Sequence, residues 1–334
     1  MARSRPPAAR RFLLPVLTLA AVAAASVVVV AADQGNPVAA AASSPASTPS
    51  ASTPTASTAG PAGSTAGATS DPAASPAAAA SSSAAAAASA AASSALAAVQ
   101  SAADGAADGA GGSIAVVVLG PDGSTLLAGS GADTPTYTAS LVKLLVVQQL
   151  LRQSEAGQLT LDAADLALME RAVEASDDDA MDTLWVRFDG SALVTDAATE
   201  FGLTGTATTA VTGQWGQATT TAGDYARFLA ALPGSLTAAD RATLAGWMQS
   251  TTDAAADGFD QDYGVRTAGV LATGSVQAKQ GWMCCVDSRR QVHSAGVLSD
   301  GRVVVLLGDF PAGTTWAAGQ SALDAAAQAV VAGT

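Results

Sequence analysis

Lysine is almost missing from this chain of 334 residues: Lys143 and Lys279 are the only two, and the other thirteen basic residues are all Arg. Arginine effectively always keeps its charge, whereas a lysine gives up its proton when it is buried or set beside another positive charge. Two lysines kept among arginines therefore mark two places where a proton can be handled. Histidine is scarcer still, with His293 alone. One His and the two cysteines, Cys284 and Cys285, cannot supply the four ligands of a structural zinc site. No metal and no other cofactor is expected. The adjacent cysteines either close a vicinal disulfide outside the cell or stand as two free thiols in a turn. Positive charge is short throughout: from Asp33 onward 11 basic residues face 28 acids, a balance of −17. No basic patch or basic-aromatic run occurs, which excludes nucleic acid and acidic polymers as partners.

The charge that does stand at the start is one-sided. Arg3, Arg5, Arg10 and Arg11 precede an apolar run of 21 residues, Phe12 to Ala32, and no Lys or Arg follows before Lys143. That asymmetry orients the start to the cytoplasm and everything later to the outside. The length of the run suits a spanning anchor, which needs ~20 residues. Its Ala content and the small residues Val30-Ala31-Ala32 suit a cleaved signal peptide. Residues 1–32 are read as one or the other, with membrane contact through residues 12–32 if they are uncleaved. No Cys lies near the run, which excludes a lipoprotein anchor.

From Gln34 to Gly112 the chain is Ala, Ser, Thr, Pro and Gly, charged only at Asp71, Asp104 and Asp108. Its Pro-rich first part cannot bury a core. Residues 33–95 are therefore read as a disordered tether and 96–334 as one folded domain. Beyond Pro76 Ala dominates, and Ala is the best helix former. A helix from Ala84 to about Ala107, docked through Leu96 and Val99, competes with the tether over residues 80–95.

Within the domain, Ile114 to Leu119 and Ser124 to Leu127 read as two strands joined by the turn Gly120-Pro121-Asp122-Gly123. Ser140 to Arg152 is a helix that is apolar nearly all round, the pattern of a buried helix. Further helices are expected over Asp162–Glu174, Asp178–Phe188, Ser191–Phe201, Thr221–Leu232 and Thr237–Met248. Strands return at Val276–Trp282, Val292–Leu298 and Arg302–Leu307, and a last helix spans Thr315 to Ala332. Two strands, a block of helices, three strands and a helix make an α+β domain: a five-stranded antiparallel sheet flanked by terminal helices, with an inserted helical lobe.

Both lysines fall in short motifs. Lys143 follows Ser140 at i, i+3, so the two share a helix face. A serine hydroxyl is a weak nucleophile until a base removes its proton, and burial near Lys279 depresses the basicity of Lys143. Between the lysines stands Ser176-Asp177-Asp178, which by itself reads as an N-cap serine with two acids in a first helical turn. In order, Ser140-Leu-Val-Lys143, Ser176-Asp-Asp178 and Lys279-Gln-Gly281 resemble the S-x-x-K, S-D-N and K-T-G motifs of the class A β-lactamase and penicillin-binding protein superfamily. The resemblance runs from about Ser113 to the C-terminus. Thr219-Thr220-Thr221-Ala222 is similar to the family's segment after its omega loop, and the strand around Val292 to its site-lining sheet edge.

That resemblance implies roles. Ser140 is the expected nucleophile, Lys143 its base, Ser176 the proton relay to the leaving nitrogen, and Lys279 the charge that holds Ser176 and the substrate. The N–H groups of Ser140 and Trp282 would form an oxyanion hole. Asp178, Gln280, Gly281 and Trp282 would touch substrate, and Arg289 or Arg290 would bind a substrate carboxylate; by themselves the arginines read as a solvated turn pair. The departures are Asp178 for a carboxamide, Gln280 for a hydroxyl, a shorter stretch between Ser140 and Ser176, and no omega-loop Glu. Between Gly190 and Thr221 the acids are Asp196 and Glu200, both expected on a helix. Gln214 and Gln217 of the loop cannot accept a proton. The expectation is an exported serine hydrolase or acyl-transferase, acting on a peptide-like amide, a β-lactam or a cell-wall peptide and slow to release its acyl group. The alternative is a non-catalytic binding module on the same fold.

Overall fold

The computed structural model describes residues 76–333; the expectations for the basic start, the apolar run and the Pro-rich stretch lie outside the described residues. Among those described, no helix is long and apolar enough to cross a membrane. The first element is helix α1, Pro76–Gly109, so residues 76–95, the last part of the stretch read as tether, are helical, as their Ala content allows. Val99, Ala103 and Ala107 are its buried positions, and Leu96 is half-buried.

Strands β1 (Ser113–Leu119) and β2 (Thr125–Ala128) form the expected hairpin. The chain then makes a short strand β3 (Thr136–Tyr137), a 3-10 turn (Ala139–Leu141) and helix α2 (Val142–Glu155). Helices α3 (Ala163–Glu174), α4 (Asp178–Arg187) and α5 (Gly190–Glu200) follow. A loop leads to β4 (Thr219–Thr220), then α6 (Ala222–Ser235), α7 (Ala238–Gln249) and the short α8 (Ala268–Leu271). Strands β5 (Gln277–Val286), β6 (Arg289–Val297) and β7 (Val303–Pro311) and helix α9 (Trp316–Gly333) complete it. The elements inferred from periodicity are all present, displaced by a few residues at their ends. The two-residue strands β3 and β4 carry no pattern long enough to read.

The sheet is antiparallel with order β2-β1-β7-β6-β5. Its strands alternate strictly, because successive side chains of a strand leave opposite faces. Val117, Leu119, Val303, Val305 and Leu307 pack on the helical lobe, where α2 is the central rod. Val116, Val118, Val304 and Leu306 pack on α1 and α9. Every residue of α2 from Val142 to Leu151 is buried, Lys143, Gln148 and Gln149 included. A helix so enclosed fixes whatever its first turn carries, and β5, the free edge of the sheet, runs beside that turn.

Candidate active site

The segment bearing Ser140 is held from three sides. Strand β3 pairs with β4, and Thr138 N donates to Ala218 O at 2.7 Å. The buried Tyr225 of α6 donates its hydroxyl to Leu141 O at 3.1 Å. Gly281 of β5 lies so close that a Cβ there would stand 3.2 Å from Thr138 O and 3.3 Å from Leu141 N. A side chain there would crowd the turn that carries Ser140, and glycine lets the strand lie close to it. Ala139 takes φ +46°, a region that strains any residue with a Cβ. Ser140 is 4 % exposed, and its hydroxyl makes no hydrogen bond. It opens into a cavity of about 280 Å³.

Lys143, Ser176 and Lys279 meet behind it. Ser176 is not the N-cap of α4. That place is taken by Asp177, whose carboxylate accepts from Ala180 N at 3.0 Å and from Arg171 Nε at 2.9 Å. Ser176 precedes the cap with φ +50°, which leaves its side chain for other partners. Its Oγ accepts from Lys279 Nζ at 2.8 Å and from Lys143 Nζ at 3.3 Å. A hydroxyl has two lone pairs and one hydrogen, so with both lysines donating, the Ser176 hydrogen is left to give elsewhere. Lys143 also donates to Ser176 O, and to Asp178 Oδ1 at 2.6 Å. Its three N–H groups are thus all engaged, and Ser140 is not among its partners. Lys279 donates in addition to Gln280 O at 3.1 Å.

Both lysines are fully buried. Burial depresses the basicity of Lys143, against which the Asp178 carboxylate pulls it back up. Lys279 is pushed well below the usual lysine range, first by burial and then by the charge of Lys143. Each thus holds its proton less firmly than a lysine in water.

The cavity itself is lined by Ser140, by Asp178 and Asp182 of α4, by the loop Gly213–Gly216, and by Trp282 and Met283 of β5. Trp215 donates its indole N–H to Asp182 Oδ1 at 2.6 Å, and its ring lies 4.9 Å from Lys143 Nζ. Ahead of the loop, Oδ2 of the buried Asp224 accepts from Gly205 N at 2.7 Å and Thr206 Oγ1 at 3.0 Å. Trp282 stacks on Phe259 with ring centres 4.4 Å apart.

Of the residues singled out in the sequence, Ser140, Lys143, Ser176, Asp178, Lys279, Gly281 and Trp282 converge here. Three do not. Gln280 alternates with Lys279 along β5 and so faces the other layer, where its Nε2 donates to Gln261 O at 2.9 Å and Tyr263 O at 2.6 Å. Arg289 donates to Asp309 Oδ1 at 3.0 Å, and Arg290 donates to Thr314 O and lies 4.1 Å over the ring of Trp316. Neither arginine lines the cavity, nor do they lie in a turn: both begin β6. Asp196 and Glu200 sit on α5 as expected and accept from Gln153 and Gln149 of α2, away from the cavity. Cys284 and Cys285 are joined as a disulfide. Asp182 and Trp215 were not anticipated as site residues. Asp182 had a signal, since it follows Asp178 by four and so shares its helix face.

No family model matches the chain. It is 30 % identical over 201 residues, 59 % of its length, to proteins called "Putative lipoprotein LppW" in Mycobacterium bovis and Mycobacterium tuberculosis. It spans 62 % of the length of those curated relatives. Among solved structures it is similar to a β-lactamase from Chitinophaga pinensis, with TM-score 0.59 and 16 % identity over 70 % of this chain and 97 % of that one. It is also similar to a β-lactamase from Sphaerobacter thermophilus, with TM-score 0.55 and 17 % identity over 70 % and 96 %. The fold is that of the β-lactamases.

Proposed function

We propose that this chain is an exported active-site serine enzyme of the β-lactamase and penicillin-binding superfamily. In this reading Ser140 takes an acyl group from a peptide-like amide or a β-lactam and releases it slowly. One observation carries the proposal. The Ser176 hydroxyl is held between two buried lysines of lowered basicity, beside a buried serine whose own hydroxyl is free and faces a cavity. Burying two lysines is costly, and a scaffold has no need of it. The fold and the match to proteins named as lipoproteins support a place in the cell envelope. Membrane contact would then run through residues 12–32 if they are retained.

The proposed steps take their roles from the resemblance to the superfamily's three motifs. Lys143 in its neutral form takes the proton from Ser140 Oγ, which bonds to the substrate carbonyl carbon. The N–H groups of Ser140 and Trp282 are the proposed donors to the oxyanion. As the C–N bond breaks, the Ser176 hydroxyl gives its hydrogen to the leaving nitrogen and is reprotonated from a lysine. Hydrolysis of the resulting ester needs a further base. Asp178 is tied to Lys143 and Asp182 to Trp215, so neither carboxylate is poised free for water. The ester is therefore long-lived.

The test is the intact mass of the purified domain after mixing with penicillin. A persistent mass gain that vanishes in Ser140→Ala is the expected result; rapid drug hydrolysis without accumulation would instead reveal an effective deacylating base. One observation favours a second reading, a ligand-binding module without turnover: the Lys143–Asp178 ion pair stabilises the protonated lysine, which cannot accept the Ser140 proton. Absence of any adduct with β-lactams or acyl-peptide mimics would favour it.

A further inference from the structure

The charges that reach this cavity are of one sign. Asp178 and Asp182 are the only charged side chains lining it, one helical turn apart on α4. Asp178 has 65 % of its side chain exposed. Each commits Oδ1, to Lys143 and to the Trp215 indole, and each has Oδ2 unbonded. A third carboxylate, Asp257, accepts from the indole of the wall residue Trp282 at 3.1 Å. Lys143 pairs with Asp178 through Oδ1 from behind the wall, but no cation lines the cavity beside Oδ2 of Asp178 or the Asp182 carboxylate. Lys143 and Lys279 are fully buried and bonded to Ser176. Arg289 and Arg290 are held by Asp309 and Thr314. Ser140, a residue only 4 % exposed, turns an unpartnered hydroxyl into the same cavity, which points to something received there.

We propose that the substrate this cleft selects carries a cationic group, an ammonium or a guanidinium, on the part that lies against α4, and not a carboxylate. The proposal rests on the reading of Ser140 as the acyl acceptor for its chemistry, but the charge preference itself needs no bond to form. A cation meets two free carboxylate oxygens and the indole of Trp282, whose ring also attracts positive charge. A carboxylate in the same place is repelled by both aspartates across a few ångström, which at effective interior dielectrics amounts to about tenfold in affinity or more.

The experiment uses the full chain with Ser140→Ala, which binds without reacting. Three acetylated dipeptides of one skeleton are titrated calorimetrically at low salt: one ending in an aminoethylamide, one in a methylamide, one in a free carboxylate. The expected order of affinity is ammonium, neutral, carboxylate. The outer two should differ by about tenfold or more, a gap that narrows as salt is added. Asp182→Asn on the Ser140→Ala background keeps an acceptor for the Trp215 indole and removes the charge, and should shrink the gap several-fold. Equal affinities, a preference for the carboxylate, or no binding of any of the three overturns the proposal. Labelling of the wild type by an uncharged acyl-peptide ester is read separately, since penicillin itself carries a carboxylate that this cleft would disfavour. Labelling without a cation preference sinks this inference alone, and a cation preference without labelling sinks the acyl-enzyme reading alone.

Discussion

At the inner end of the β5–β6 hairpin the basic side chains are fully buried; at the outer end they are more exposed. Lys279 and His293 lie inside, fully enclosed, with Lys279 bonded to the same hydroxyl that Lys143 uses. Arg289 and Arg290 lie outside, against Asp309 and against Thr314 with Trp316. The chain has put lysine where a proton can be surrendered and arginine where a fixed charge fastens loops and strands. The inner end is costly to fold and is where the proposed chemistry would take place. The outer end is the reverse.

The sharpest way to break this contrast is Lys143→Arg. It keeps the charge and the partner Asp178 but removes a proton acceptor. The expected loss in the rate of Ser140 labelling is at least about 10³-fold, the scale of general-base catalysis, with the folded spectrum retained. In the wild type, labelling should quicken as pH rises through a window below the ordinary lysine range, since burial lowers Lys143. Wild-type labelling by a folded Lys143→Arg protein would remove Lys143 from the chemistry.

Next in size is acid stability. Burial lowers His293 from 6.5 to about 4, and its Nε2–H donates to Tyr137 O at 2.8 Å. The unfolded chain binds this proton more readily than the folded one. Stability is therefore whole above about pH 6.5 and falls as pH drops toward 4. The loss from this one group is roughly 3 kcal/mol, at 1.36 kcal/mol per pKa unit. Denaturant titrations of wild type and His293→Gln over that range check it: the variant's curve should fall less steeply.

Ser176→Ala comes third. It removes the relay hydrogen and the atom that both lysines share, and should slow labelling by about 10²-fold. An unchanged rate would mean that the leaving nitrogen takes its proton from another donor. Smallest is Arg289→Ala at the outer end. The pair with Asp309 is partly exposed, so its loss should cost about 1 kcal/mol or less and leave labelling within twofold. A large labelling defect there would erase the distinction between the two ends.

Much of the fold was legible because its signals are local. The continuous apolar run of Ile114 to Leu119 and the nearly all-round apolar pattern of α2 each declare a buried element. Of the four residues proposed for proton transfer and nucleophilic attack, the two lysines stood out because lysine is rare here, and the two serines only through their place in the order of the motifs. What failed to show was direction and partnership. Gln280 occupies a motif position, but the pleat of β5 turns it to the opposite layer. Arg289 and Arg290 looked available because their partners, Asp309 and Thr314, are distant in sequence. Trp215 showed no pattern at all, being one aromatic in a Gly-rich loop. Its partner Asp182 is set by how that loop returns over α4.

The pairing of β1 with β7 has a consequence in time. Ser113 lies opposite Asp309 and Leu119 opposite Val303, so the first strand must wait for the last before the sheet can close. Until then β1 has only its small hairpin, and α1 lacks α9. Such non-local pairing makes for slow folding. A ribosome or an export channel delivering this chain from its N-terminus would hold a loose polypeptide until nearly its last residues emerged. Threading through a narrow pore in the unfolded state would therefore meet little resistance from the domain itself.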